Sequence, residues 1–590
     1  MKTRNLIVIT LAGALAFSSC QKYLEKPLTG SLESPLLVSK EGVNQLLIGA
    51  YAALDGQQGG DAAIGGGGAW EASPDNWIYG GVAGGDANKG SDPGDQTPIE
   101  LIQKYNSDPT NGFFNSKWKA DYEGISRTNV LISTIGKVTT FSAEEKANLL
   151  GQARFLRGHY YFDLKKMFNN VPYIDENTTD FNQPNNTDIW PKIEDDFKFA
   201  YENMQGEQAD AGRANKWAAG AYLAKTYLYE HKFPEARDLF ETVINEGTTA
   251  SGAKYALNDR FEDNFRAATN NSPESVFAVQ AAANADPGGP SNANNGDMLN
   301  FPYGTGSPFG CCGFYQPSID LVNHFRTDAT GLPYLDNYND HPIKTDMNLT
   351  SAQPFTPDAG NIDPRLDWTA GRRGIPYLDW GNHPGNDWVR NQPYAGPYSP
   401  IKMVFGQAAQ DTEGDMLSWA PGSGINNNII RFSDVLLMAA EAEAQTGGLT
   451  KALALVNMVR DRASNPVGFV YQYKNPDKPT AGFSTTPAAN YKISVYPEGY
   501  FGSKDLALKA IYYERKIELA LEGHRFFDLV RWGIAAQELN AYITYQGQFT
   551  QDVRGGHFTT GKNEYYPIPQ RQIDLSGAGG NSALKQNPKY

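Results

Sequence analysis

From Ile511 to Trp532 the chain reads IYYERKIELALEGHRFFDLVRW. Ile511, Leu519, Leu521, Phe526, Leu529 and Val530 recur at helical spacing, with Tyr512 and Phe527 alongside. Glu514, Glu518 and Glu522 stand four apart, so a helix here carries one acidic face. Arg515, Lys516, Arg525 and Arg531 are placed to offset it, some at i+3 or i+4. Gly523 costs such a helix up to about 1 kcal/mol relative to alanine. A glycine there predicts close approach by another element, or a break between two helices.

A second stretch echoes the first. Gly158-His159-Tyr160-Tyr161-Phe162-Asp163-Leu164 aligns without gaps against Gly523-His524-Arg525-Phe526-Phe527-Asp528-Leu529. Gly, His, Phe, Asp and Leu coincide. Two readings stand at even odds: convergence of two aromatic amphipathic helices, or two similar helices packed in one scaffold.

The run Glu514 to Gly533 resembles the C-terminal signature of the SusD/RagB family, surface lipoproteins that capture nutrients for an outer-membrane transporter. The chain's close, Tyr566-Pro567-Ile568-Pro569 through Gln586-Asn587-Pro588, is similar to that family's ending, and Arg154 to Leu164 is similar to its N-terminal helix. The resemblance implies a TonB-dependent (SusC-like) barrel as partner and a tetratricopeptide-like helical scaffold.

Composition agrees with a large globular chain. Its 590 residues can bury a sizeable core, with 20% charged and 40% hydrophobic residues. Net charge is −15, and losing a leader that carries Lys2 and Arg4 makes it more negative still. Nucleic acid and anionic membrane surfaces are excluded as partners. Lys2 and Arg4 precede an apolar run from Leu6 to Phe17, then Ser18-Ser19-Cys20, which reads as a signal peptide over 1–19. Cys20 resembles a lipobox cysteine, cut before it and acylated. The expected location is the outer membrane at the cell surface, held by lipid alone, with a tether over 20–38.

The fold expected is mainly α: a tetratricopeptide-like scaffold with a large loop-rich insertion and few short strands. Helices are expected over Ser39–Leu54, with Ser39 as N-cap, over Asn111–Val138, and from Ser142 to about Phe168, where Ser142-Ala143-Glu144-Glu145 resembles a capping box. Another covers Thr187–Met204. Ala224, Tyr227, Ala236 and Phe240 fall at tetratricopeptide offsets, and Ala440, Ala452 and Val456 repeat them more weakly between Arg431 and Arg462. An N-terminal helical part thus spans 39–266. Between Ala267 and Asn428 helical periodicity gives way to Gly, Pro, Asn and aromatics, the mark of a ligand-binding insertion over 267–428. A C-terminal helical part over 429–590 completes the scaffold.

No catalytic set has specific spacing: Gly-x-Ser-x-Gly, His-Glu-x-x-His and CxxC are absent. The expectation is a binding protein, not an enzyme, with no cofactor and no metal. Sugars present flat C–H faces rimmed by hydroxyls, which suit aromatic rings beside polar side chains. Three aromatic clusters qualify: Trp70, Asp75, Trp77 and Tyr79; Tyr303, Phe309, Phe314 and Tyr315; and Trp380, Trp388, Arg390 and Tyr394. An oligo- or polysaccharide is the expected ligand. A peptide-binding lipoprotein of the same build and a surface glycoside hydrolase are the alternatives. Asp86, Asp92 and Asp95 could hold calcium but do not fit the EF-hand pattern, and a solvated acidic loop is preferred.

Cys311 and Cys312 are neighbours in an exported chain, where free thiols are not the default. Adjacent Cα atoms lie ~3.8 Å apart against about 4.4–6.8 Å in ordinary disulfides. A bond between them must therefore be held by its surroundings, and flanking Gly310 and Gly313 permit the backbone it needs. Such a ring could stack on a sugar, which adds both cysteines to the candidate site. Two buried thiols, or pairing with another chain, are the alternatives.

Overall fold

Ser142 opens a helix as its context predicts. Its hydroxyl accepts from the backbone N–H of Glu145 at 3.1 Å, and the Glu145 carboxylate accepts from the Ser142 N–H at 2.8 Å, so two otherwise orphaned donors are satisfied. Ser39 caps α1 (Lys40–Ala52) in the same manner, accepting from Gly42 N–H at 3.0 Å. The computed structural model describes residues 37–56, 63–64, 66–285, 292–415, 420 and 422–590. The expected leader, Cys20 and almost all of the tether lie outside the described residues.

From α1 the chain continues through α2 (Gly112–Lys137), α3 (Ala143–Phe168), α4 (Trp190–Asn203), α5 (Lys216–Tyr229) and α6 (Phe233–Glu246). Consecutive members of α2 to α6 pack side by side. Ala224, Ala236 and Phe240 are fully buried between α5 and α6, which is what the repeat offsets require: small residues let the helices approach and the ring fills the gap. Phe197 of α4 stacks on Tyr222 of α5 at 4.7 Å, and Phe155 of α3 meets both edge-on. Each such buried ring contributes about 1.5–3 kcal/mol.

The C-terminal part supplies α7 (Phe432–Gln445), α8 (Leu449–Ser464), α9 (Lys504–Glu518), α10 (Arg525–Arg531) and α11 (Ala535–Gln546). Ala440, Ala452 and Val456 are fully buried, so the weaker repeat also packs as its offsets predict, with α7 against α8. Between α6 and α7, the described residues of 267–428 contain no helix longer than the six residues of Ile319–His324. The strands are short. β1 (Ala87–Gly90) pairs antiparallel with β3 (Phe314–Pro317), and β2 (Ser275–Val279) pairs antiparallel with β4 (Asn427–Arg431). The second ribbon ties the two ends of the loop-rich stretch together at its root.

The 511–532 stretch is two helices, not one. α9 ends at Glu518 and α10 begins at Arg525, with Leu521 at φ 62° and Gly523 at φ 69° between them. Both consequences expected of Gly523 hold at once. The chain breaks there, and a Cβ on Gly523 would lie 1.7 Å from the Asp75 carbonyl oxygen.

The pairing of the acidic face is a correction. Glu514, Glu518 and Glu522 are buried, and their partners come from elsewhere in the sequence. Glu514 pairs with Arg365 and Arg460, Glu518 with Arg365, Arg431 and Arg462, and Glu522 with Arg431 and Lys402. The nearby cations turn to other acids: Arg515 to Asp434 and Asp528, Lys516 to Asp320, Arg531 to Glu441. A buried carboxylate needs several donors at once, and one helix face offers at most an i+3 or i+4 neighbour.

The echoed segments meet. His159, Phe162 and Asp163 of α3 face Gly523, His524 and Phe527 across a cavity of about 30 Å³, room for a water or two. Each segment's aspartate takes two cations: Asp163 takes Lys117 and Lys166, and Asp528 takes Arg515 and Arg531. Burial lowers His159 to about 3 and His524 to about 4, so both rings are neutral near pH 7. His159 Nδ1 lies 2.6 Å from the Tyr222 hydroxyl. These are packing roles.

Candidate ligand-binding site

The first aromatic cluster is mostly core. Trp77 and Tyr79 are 0% and 1% exposed. The Trp77 indole donates to the Gly296 carbonyl at 3.0 Å and lies 5.3 Å from the Tyr315 ring, which is itself buried. The Tyr79 hydroxyl donates to the Glu71 carbonyl at 2.8 Å. Trp77, Tyr79 and Tyr315 therefore have no face left for a ligand, which corrects their place among the candidates. Their polar ends are matched by backbone partners, or packed away, in the interior. Asp75 is buried too, accepting from Ser73 Oγ at 2.7 Å. Burial first, and then the neighbouring Asp297 carboxylate, raises the Asp75 carboxyl well above its ordinary range. That carboxylate pair lines no opening a sugar could enter, since Asp297 is 2% exposed. Trp70 alone of the four is partly exposed.

The second and third clusters come together, although some 80 residues separate them. The Tyr303 N–H donates to the Trp388 carbonyl at 3.1 Å, and the Arg390 guanidinium lies over the Tyr303 ring at 5.2 Å. The Gly313 N–H donates to the Phe301 carbonyl at 2.9 Å. Phe309 stands at the surface with its ring 5.8 Å from Phe405, and the Trp380 indole donates to the Phe405 carbonyl at 2.9 Å. Cys311 and Cys312 form a disulfide across a cis peptide bond, with Gly310 and Gly313 on either side at φ 72° and 77°. Cys311 is partly exposed and Cys312 is buried. Trp388 is buried behind this surface against Tyr377 and His383, so it supports the surface and does not face outward. Phe314 and Tyr394 are likewise buried.

Of the two clusters, Tyr303, Phe309, Cys311, Trp380 and Arg390 stay at least partly exposed. Phe405, whose ring meets Phe309 and whose carbonyl accepts from Trp380, escaped the sequence reading. It sits in Val404-Phe405-Gly406 with no periodicity to mark it.

The acidic loop is closed by cations and is not simply solvated. Arg390 contacts Asp92 Oδ2 and Asp95 Oδ2, each at 2.7 Å, and donates to Ser91 Oγ at 2.7 Å. The Lys89 ammonium donates from below to the carbonyls of Asp92 and Asp95 at 2.7 and 2.5 Å. Asp86 belongs elsewhere: it is buried, accepts from the Leu521 N–H at 3.3 Å, and is raised to about 6 by that burial. Among the described residues, no group of three or more His, Cys, Asp or Glu could hold a metal ion.

A larger groove of about 940 Å³ lies on the helical side, between α2, the 172–183 loop and residues 572–584. Val130, Phe181 and Leu575 stand exposed in it, at 48%, 72% and 58%. No sequence signal named it, because each residue comes from a different element.

Comparison with known proteins places the chain. Residues 273–590 match the family model described as SusD family, and residues 92–228 match one described as starch-binding associating with outer membrane. SusD-like protein P2 of Formosa agariphila is 25% identical over 452 residues, covering 73% of this chain and 74% of that one. A SusD superfamily protein from Bacteroides vulgatus superposes with a TM-score of 0.67 at 20% identity, covering 94% of this chain and 99% of its own. Surface glycan-binding protein A from Bacteroides thetaiotaomicron, solved in complex with laminarihexaose, does so with a TM-score of 0.62 at 20% identity, covering 93% and 99%. These structures share the fold.

Proposed function

The chain belongs to the SusD family, and from that premise we propose that it is a surface lipoprotein that binds an oligo- or polysaccharide and delivers it to a TonB-dependent barrel transporter. The loop-rich 267–428 stretch carries the site, and the helical parts over 39–266 and 429–590 carry the stretch. The reading is supported by the packing of the 303–311 segment against the 380–390 segment and Phe405, which leaves Tyr303, Phe309, Cys311, Trp380 and Arg390 at least partly exposed. Apolar faces accept sugar C–H groups, and the polar edge accepts and donates to hydroxyls. A fold neighbour solved with laminarihexaose supports a glycan over a peptide.

Isothermal titration against laminarin and other glycans tests the site. Tyr303→Ala with Phe309→Ala should weaken binding about tenfold or more, at about 1 kcal/mol per ring, with the helical circular dichroism intact. Cys311→Ser with Cys312→Ser should weaken it in the same direction. Unchanged affinity in the ring variant would overturn the site, and unchanged affinity in the cysteine variant would leave the pair a structural staple. Tight binding of peptides with no glycan bound would favour the alternative reading.

The anchor and partner are tested together. Attachment is assigned to lipid at Cys20 on the strength of the leader and Ser18-Ser19-Cys20; no helix among the described residues is long and apolar enough to cross a membrane. Purification from native membranes should recover a barrel protein with the wild-type chain. Cys20→Ala should move the chain to the soluble fraction. Retention of that variant in the outer membrane after a high-salt wash rules out the anchor, and repeated recovery without a barrel rules out the partner. The exposed Val130, Phe181 and Leu575 suit contact with a protein partner.

A further inference from the structure

Resting on the glycan reading of the Tyr303–Phe309–Trp380 surface, we propose that this site selects neutral glycans, and that Asp92 and Asp95 set the selection by occupying Arg390. A guanidinium is the side chain best shaped to hold a carboxylate or sulfate, because its parallel N–H donors match two oxygens. Arg390 is the cation that stands among the outward rings, and an anionic sugar would be expected to take it. Its fork is already filled. Asp92 Oδ2, Asp95 Oδ2 and Ser91 Oγ each lie 2.7 Å from it, and one face of the group is covered by the Tyr303 ring. The next cation, Lys89, is fully buried and directed at the backbone carbonyls of the same two aspartates. It holds the loop in place and offers nothing to a ligand.

Carboxylates stand around these rings. Asp92 and Asp95 keep 32% and 31% of their side chains exposed. Asp379 adjoins Trp380, accepting from the backbone N–H groups of Gln407 and Ala408. Asp387 stands exposed in the segment packed against Gly304. Ionised carboxylates only accept hydrogen bonds. Sugar hydroxyls donate to them, and charge-assisted bonds of this kind are among the stronger ones. Uronate and sulfate groups bring further acceptors and like charge, which such a rim repels. The chain's overall charge of −15 adds to that repulsion at long range.

The test is a binding panel on the full mature chain. Laminarin, starch, mannan and cello-oligosaccharides represent neutral glycans; polygalacturonate, alginate and chondroitin sulfate represent anionic ones. The wild type should bind one or more neutral members and none of the anionic members at comparable affinity. Asp92→Asn with Asp95→Asn removes two charges and releases the Arg390 fork. That variant should gain affinity for polygalacturonate by on the order of tenfold, and the gain should vanish in high salt. An anionic glycan bound by the wild type more tightly than every neutral one overturns this inference while leaving the glycan site standing. So does a folded double variant whose ranking is unchanged. Binding to no member of the panel overturns the glycan reading itself, and this inference with it. The wild-type ranking is informative even if the double variant fails to fold.

Discussion

Gly523→Ala lowers the stability of this chain by about 3–5 kcal/mol, among the largest effects expected of a single methyl group. Two costs add. Gly523 sits at φ 69°, a left-handed conformation that costs an L-residue roughly 1–2 kcal/mol. The new Cβ would also lie 1.7 Å from the Asp75 carbonyl oxygen, so backbone must move against backbone. The contact is tight from the other side too, since a Cβ on Gly80 would lie 1.7 Å from the Gly523 carbonyl oxygen. Neither segment can retreat, because Trp77 and Tyr79 beside Gly80 are fully packed. Gly555 is the control. It has φ 80° with nothing within 4 Å of its built Cβ, so Gly555→Ala should cost only about 1 kcal/mol. Denaturant midpoints followed by circular dichroism measure both. Equal midpoints for the two variants would show that the close approach does not constrain the fold.

Glu518→Ala should cost a similar 3–5 kcal/mol, the usual penalty for breaking a buried ion network on one side. Its carboxylate is fully buried and takes Arg365 at 2.7 Å and Arg431 and Arg462 at 2.5 Å each. Alanine leaves three guanidinium groups short of an anion in the interior. Lys509 and Asp336 form an exposed pair, with side chains 48% and 73% accessible, and Lys509→Ala should cost under about 1 kcal/mol. The same network predicts a pH signature. Burial would raise the Glu518 carboxyl, but Arg462, Arg431 and Arg365 overcome it and hold the group well below the ordinary 4.5. A depressed folded-state value means stability that is present above the ordinary carboxylate range and lost as pH falls below it. The wild-type advantage over Glu518→Ala should therefore hold at neutral pH and narrow below about pH 4.5. A variant within 1 kcal/mol of wild type at pH 7 would show the network to be dispensable.

The local features of this chain were legible in its sequence because local physics makes them. The Ser142–Glu145 box and the Ser39 cap bond within one turn, and the repeat alanines lie on helices adjacent in sequence. Even Gly523 announced a break or a close approach, since so few reasons put a glycine inside such a pattern. The tertiary structure decided the rest. Glu514, Glu518 and Glu522 read as one acidic face offset by nearby cations, yet each finds its partners 50 or more residues away. Spacing along a helix states which side chains share a face, not whether that face meets water or five buried cations. The aromatic loops carry still less. Trp77 and Phe309 both lie in glycine-rich, aperiodic stretches, and one is 0% exposed while the other is 36% exposed. A helix or strand repeats its inward direction, so composition along it reveals a side. An irregular loop has no repeat, and each ring's direction is set by whichever distant segment packs against it.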